Sequence, residues 1–156
     1  MRRCLSRRSL AAMRNKAVEG RVYSFLLQSR KVMPGRSQTL VAVTSDLFLQ
    51  SRTTELAASL GVAAHFTADS AGLKRQVTRD TVLVVLDLSE TDYDPFALAR
   101  DVKESWPSLR ILGFFPHVRA DLKARGERAG VDVIVPNSKF IETLGKLLAK
   151  EAQETD

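Results

Sequence analysis

The chain is 156 residues long, about one domain, and its 44% hydrophobic content is enough for one core. A single cysteine, Cys4, rules out an internal disulfide and a thiolate zinc site, and the two histidines, His65 and His117, lack metal-ligand spacing. No apolar run approaches the ~18 to 20 residues of a membrane helix, and the net charge of +6 is concentrated at one end.

Residues 1–38 contain ten Lys and Arg against one acid, Glu19, whereas residues 39–156 contain 14 basic and 17 acidic residues. A basic N-terminal extension therefore precedes a mildly acidic domain. Three readings of the extension stand side by side. Its Arg- and Ser-rich, acid-poor composition is that of an organelle transit peptide. It is equally that of an arm binding nucleic acid or acidic lipid through phosphate contacts that salt weakens. In the third reading the native protein starts at Met33, just ahead of the first strand, and residues 1–32 are no part of it. Where the extension exists it is expected to be disordered, apart from a turn or two of helix around Val22, Phe25, Leu26 and Leu27.

From residue 39 onward, β-branched apolar runs alternate with stretches of helical period, the pattern of parallel βαβ units. The first strand is expected at Leu40 to Thr44, followed by a helix with Leu49, Thr53, Leu56 and Leu60 on one face and Gly61 ending it. A strand over Val62 to Thr67 leads into a short helix opened by Asp69 or Ser70, with Leu73 and Val77 four residues apart. Thr81 to Leu88 is the most apolar run and reads as a central strand covered on both faces. Asp94 then caps a helix that has Pro95 in its first position and Ala99, Val102 and Trp106 along one side. The fourth strand, Leu109 to Phe115, precedes a polar helix from Arg119 to Ala129 with a thin stripe of Val118, Leu122 and Ala129. Gly126 inside that helix costs roughly 1 kcal/mol relative to alanine. The fifth strand, Val131 to Val135, is followed by a helix from near Ser138 carrying Ile141, Leu144, Leu147 and Leu148. Residues 151–156, EAQETD, read as a solvated acidic tail behind a domain of residues 39–150.

Five βα units predict an α/β fold: a flavodoxin-like, receiver-like, doubly wound five-stranded parallel sheet of order 2-1-3-4-5 in a three-layer αβα sandwich. In such sheets the site lies beyond the carboxyl ends of the strands. That rule gathers Thr44, Ser45 and Asp46 after the first strand, Asp87, Leu88 and Ser89 after the third, Phe115, Pro116 and His117 after the fourth, and Pro136 and Asn137 after the fifth. No dinucleotide-binding, P-loop or nucleophile-elbow motif accompanies them. Asp87 by itself is a carboxylate able to cap the amides of the loop that follows it.

Three stretches carry a resemblance. VLVVLDLSETDYDP is similar to a third strand, phosphoacceptor aspartate and following loop, with Asp87 at the acceptor position and Asp94-Pro95 where Asp-Gly is usual. LVAVTSDLFLQSRTTELAASLG is similar to a first strand and helix, and ERAGVDVIVPNSKF to a segment ending in Lys-Pro-Phe. Together they make residues 39–150 resemble the receiver (response regulator) domain of bacterial two-component signalling.

The resemblance also marks departures. The acidic pair that holds Mg²⁺ in receivers is matched by Thr44 and Ser45, with Asp46 one place later. The hydroxyl after the fourth strand is matched by Phe115, and the lysine after the fifth by Asn137, with Lys139 offset by two. A hard cation needs anionic oxygen ligands. Phosphoryl transfer needs positioned positive charge, and each charge-stabilising donor is worth ~3 to 4 kcal/mol. The resemblance therefore implies a degenerate pseudo-receiver: a stand-alone, cytoplasmic signalling module without an output domain, acting by protein contact, neither enzyme nor cofactor-binding protein. The only metal grouping it leaves is the weak one of Asp46 and Asp87. By the same resemblance the contact face, open to a protein partner or a homodimer, is that of the fourth helix, fifth strand and fifth helix, with Phe115, Val118, Leu122, Asn137, Lys139 and Phe140. A bulky Phe115 in place of a small hydroxyl is expected to hold one conformational state. Two alternatives stay open: a phosphorelay acceptor using Asp87 with Mg²⁺, and a regulator tethered to nucleic acid by the basic extension.

Overall fold

The computed structural model describes residues 37–154. The basic extension with Cys4 and Met33 lies outside the described residues, as do positions 155 and 156. Five strands form one sheet: β1 (Thr39–Val43), β2 (Ala63–Thr67), β3 (Thr81–Asp87), β4 (Arg110–Phe115) and β5 (Val133–Pro136). All four pairings are parallel and the order is β2-β1-β3-β4-β5, as the alternation of elements predicts. Between and after them run α1 (Leu47–Ser59), α2 (Ser70–Gln76), α3 (Pro95–Ser105), α4 (Asp121–Ala129) and α5 (Phe140–Glu154). Among the described residues no helix is long and apolar enough to cross a membrane.

Because successive strand side chains point to opposite faces, the core is two layers. Val41, Val43, Val84, Leu86, Ile111 and Phe115 face α2, α3 and α4, which contribute Leu73, Phe96, Leu98, Ala99, Val102, Leu122 and Ala129. Leu40, Ala42, Leu83, Val85, Leu112 and Phe114 face α1 and α5, which contribute Ala57, Phe140, Leu144 and Leu148. β3 supplies both layers, which is why its sequence is continuously apolar. Trp106 packs half-buried against the first layer at the end of α3.

Two helix starts follow the expected caps, at Asp69 and Asp94, and the structure adds a third at Asp46. Asp46 accepts from the amides of Phe48 and Leu49, Asp69 from that of Gly72, and Asp94 from those of Phe96 and Ala97, with Pro95 in the first turn of α3. Gly61 follows α1 with φ +75°, a conformation that excludes most side chains.

Several boundaries differ from expectation. β1 stops at Val43, because the Thr44 carbonyl accepts from the Gln50 side chain at 2.8 Å instead of continuing the ladder. β5 starts two residues late, at Val133, where the exposed Asp132 is engaged through its side chain: its carboxylate accepts from the Ile111 amide at 2.8 Å and pairs with Lys103 at 2.7 Å. α4 begins at Asp121; Arg119 belongs to a turn closed by its amide on the Pro116 carbonyl. Val118 therefore lies off the stripe and is 75% exposed, and the buried positions of α4 are Leu122, Gly126 and Ala129. Gly126 has a packing reason, since a Cβ there would stand 2.7 Å from Ile134 Cδ1. A 3-10 turn over Asn137–Lys139 delays α5 to Phe140. Residues 151–154 are not a free tail: α5 runs through them, and Glu151 pairs with Arg110 at 2.7 Å, tying the helix end to the start of β4.

Candidate functional site

The carboxyl ends of β1, β3, β4 and β5 bring Thr44, Asp87, Phe115 and Asn137 to one rim, as the strand order requires. What the side chains do there is local. Asp87 is half-buried, and its Oδ1 accepts from both the Ser89 amide at 2.9 Å and the Ser89 hydroxyl at 2.6 Å. The carboxylate thus closes the turn after its own strand.

Thr44 is buried, donates its amide to the Thr67 carbonyl, and accepts the Asp46 amide on Oγ1 at 3.2 Å. Ser45 is exposed. Asp46 does not turn toward Asp87; its Oδ1 is the N-cap of α1. Asp94 likewise caps α3, and Glu90 accepts from the amides of Thr91 and Asp92. Among the described residues no three His, Cys, Asp or Glu side chains are grouped to hold a metal ion. Mg²⁺ requires several oxygens converging at about 2.1 Å, and acids committed to helix caps and loop amides do not supply that donor set. Asp46 and Asp87 are instead each engaged through one carboxylate oxygen in their own loops, at the start of α1 and on Ser89.

The lysine that the sequence places after β5 is engaged elsewhere. Asn137 is exposed at the start of the 3-10 turn, and the Lys139 ammonium pairs with Glu142 at 3.3 Å. Lys146, then Lys139, hold the Glu142 carboxyl below its usual range, so Lys139 belongs to a surface cluster along α5. His117 is exposed on the loop after β4.

The expected contact face is not one surface. Phe115 is 6% exposed inside the layer beneath α3 and α4, together with Leu122, whereas Phe140 is buried on the other side of the sheet, its ring 4.7 Å from that of Phe114. Strand alternation separates Phe115 from Phe140, and helix packing buries Leu122. Of the six residues only Val118, Asn137 and Lys139 are exposed.

Sequence reasoning missed two features. Tyr93, in the loop after β3, donates its hydroxyl to the Val43 carbonyl at 3.3 Å, so its ring bridges from that loop to the end of β1. Burial, then the negative charges of Asp87 and Glu90, raise its pKa well above the ordinary tyrosine range. A neutral phenol therefore lies beside Asp87. Its one sequence signal is an aromatic within an otherwise polar run, Ser89 to Asp94. The second feature is an apolar pair at the start of α1: Leu47 is 77% and Phe48 69% exposed, with the Arg52 guanidinium over the Phe48 ring at 5.6 Å. With Val118 these are the exposed large hydrophobic side chains of the described residues, and all three stand at the carboxyl rim.

No family model matches the chain, and no curated protein matches it in sequence. Its fold matches solved receiver domains. The receiver domain of the TMAO respiratory system response regulator TorR superposes with a TM-score of 0.67 at 21% identity, over 76% of this chain and 99% of that one. The receiver domain of NtrX from Brucella abortus gives 0.61 at 20% identity, over 76% and 100%. The response regulator DrrB of Thermotoga maritima gives 0.64 at 19% identity over 75% of this chain, which covers 53% of that longer protein. At such identities the likeness establishes the fold, a three-layer receiver-like sheet.

Proposed function

We propose that the domain is a signalling module of the degenerate receiver type, which works by protein contact and does not accept a phosphoryl group in the Mg²⁺-dependent manner. The observation that carries this reading is the Asp87 carboxylate, closed on Ser89 and flanked by a neutral Tyr93, with no group of three metal-ligating side chains among the described residues and with Lys139 paired to Glu142. Loss of even one positioned donor costs roughly 100-fold to 1000-fold in rate where charge develops, and here metal, hydroxyl and lysine are replaced together. The rim offers Leu47, Phe48 and Val118 in their stead, apolar side chains suited to shape recognition. In this reading the domain has no catalytic role, needs no cofactor, and acts in the cytoplasm.

Incubation of the full chain with Mg²⁺ and a small phosphodonor, followed by intact mass, tests it. No phosphoryl-sized increase is expected. An increase that disappears in Asp87→Asn would overturn the reading in favour of a phosphorelay acceptor.

A further inference from the structure

Beside the rim, the loop after β3 and the first turns of α4 enclose an open trough of ≈ 320 Å³. Its floor is apolar, made by Leu88, Phe96 and Leu122. One wall is the loop with Glu90 and Asp94, and exposed Asp92 stands between them in sequence. The opposite wall carries Arg119 and Arg125. Arg125 has its guanidinium over the Phe96 ring at 4.1 Å, and Arg119 pairs with Asp121 on its own side. Among the described residues no ion pair crosses the trough. Glu90 and Asp94 on one side and Arg125 on the other thus line an apolar floor with no ion pair between them, while Arg119 is paired with Asp121 on its own side.

An occupant that suits this surface offers cations to the loop, anions to α4 and apolar groups to the floor. The chain itself has that composition. Rotation of a second copy about a two-fold axis sets its Arg119 and Arg125 against the loop acids of the first, and its loop acids against the arginines of the first. That reciprocity is the defining property of an isologous contact. Val118, next to Arg119 and 75% exposed, supplies an apolar anchor at the margin. We infer that this trough is a self-association surface, seating a second copy of the chain with Glu90 and Asp92 of each protomer against Arg119 and Arg125 of the other. The inference stands whether or not Asp87 accepts a phosphoryl group, so its failure and that of the contact reading are separately visible.

The test is a charge exchange on the full 156-residue chain, read by sedimentation and by native mass. The wild type is expected to dimerise, with affinity falling roughly tenfold as salt rises through the range in which exposed charges are screened. Glu90→Lys alone and Arg125→Glu alone each bring like charges together at both halves of a two-fold contact, and each is expected to weaken association roughly tenfold or more. An equimolar mixture of the two restores opposite charges at both halves, and the restored dimer should contain one copy of each. If either variant loses its helical circular dichroism, Asp92→Lys with Arg119→Glu repeats the exchange. A wild type that is monomeric up to about 1 mM, single variants that associate as the wild type does, or a mixture that fails to recover would each overturn the inference.

Discussion

Tyr93 keeps its proton because both forces acting on it oppose the phenolate: burial withholds solvation, and Asp87 and Glu90 repel a further negative charge. The sign of the stability effect follows. The folded protein holds this proton at pH values where the unfolded chain has lost it, so the contribution is complete below the ordinary tyrosine value of about 10 and declines as pH rises above it. The difference spectrum between the wild type and Tyr93→Phe should therefore show no phenolate at pH of about 11. Asp87→Asn should move the ionisation downward, because it removes one of the two repelling charges. Phenolate near pH 10 in the folded wild type would mean that neither burial nor the charge of Asp87 acts on the phenol.

The elements owe their positions to small residues as much as to apolar stripes. Leu88, just past β3, is packed by two glycines from different elements. A Cβ on Gly113 of β4 would meet Leu88 Cδ1 at 2.9 Å and Cγ at 3.1 Å, and Val131 Cγ1 at 3.1 Å; one on Gly126 of α4 would meet Leu88 Cδ1 at 3.1 Å. These close approaches let α4 settle on the sheet beside the loop that Asp87 begins. Overfilling such a site typically costs about 1–3 kcal/mol. Gly113→Ala should lower the urea midpoint accordingly, with the slope of the transition unchanged because the exposed surface is the same. A midpoint equal to that of the wild type would show that the layer beneath α4 has room to spare.

Across the whole molecule, the sheet is a partition. Phe114 and Phe115 are neighbours in β4, yet Phe114 packs with its ring tilted against Phe140 of α5 while Phe115 is buried under α3 and α4. Phe140 is fully buried at the first turn of α5, so it fixes where that helix lands. Truncating a buried aromatic of this kind costs about 3–5 kcal/mol, a large part of a domain's total stability. Phe140→Ala should therefore unfold cooperatively at a much lower midpoint. A loss below about 1 kcal/mol would indicate that α5 docks without it.

Strand order, the caps at Asp69 and Asp94, and the central place of β3 were legible in the residues, because alternation, periodicity and capping are written in chain order. So was the capability of Asp87 to close its own turn, since an aspartate two residues before a polar amide has that option built in. Which option a side chain takes depends on what reaches it through space. Asp46 had a helix start and a rim within its range and took the helix. Lys139 took Glu142, three residues along, in preference to a carboxylate on another strand. The partition of Phe115 from Phe140, the reach of Tyr93 to Val43 and the meeting of Arg125 with Phe96 join residues remote in sequence. Only the packing of helices onto a twisted sheet brings such residues together or holds them apart, because contacts of that kind are set by register and layer rather than by any spacing along the chain.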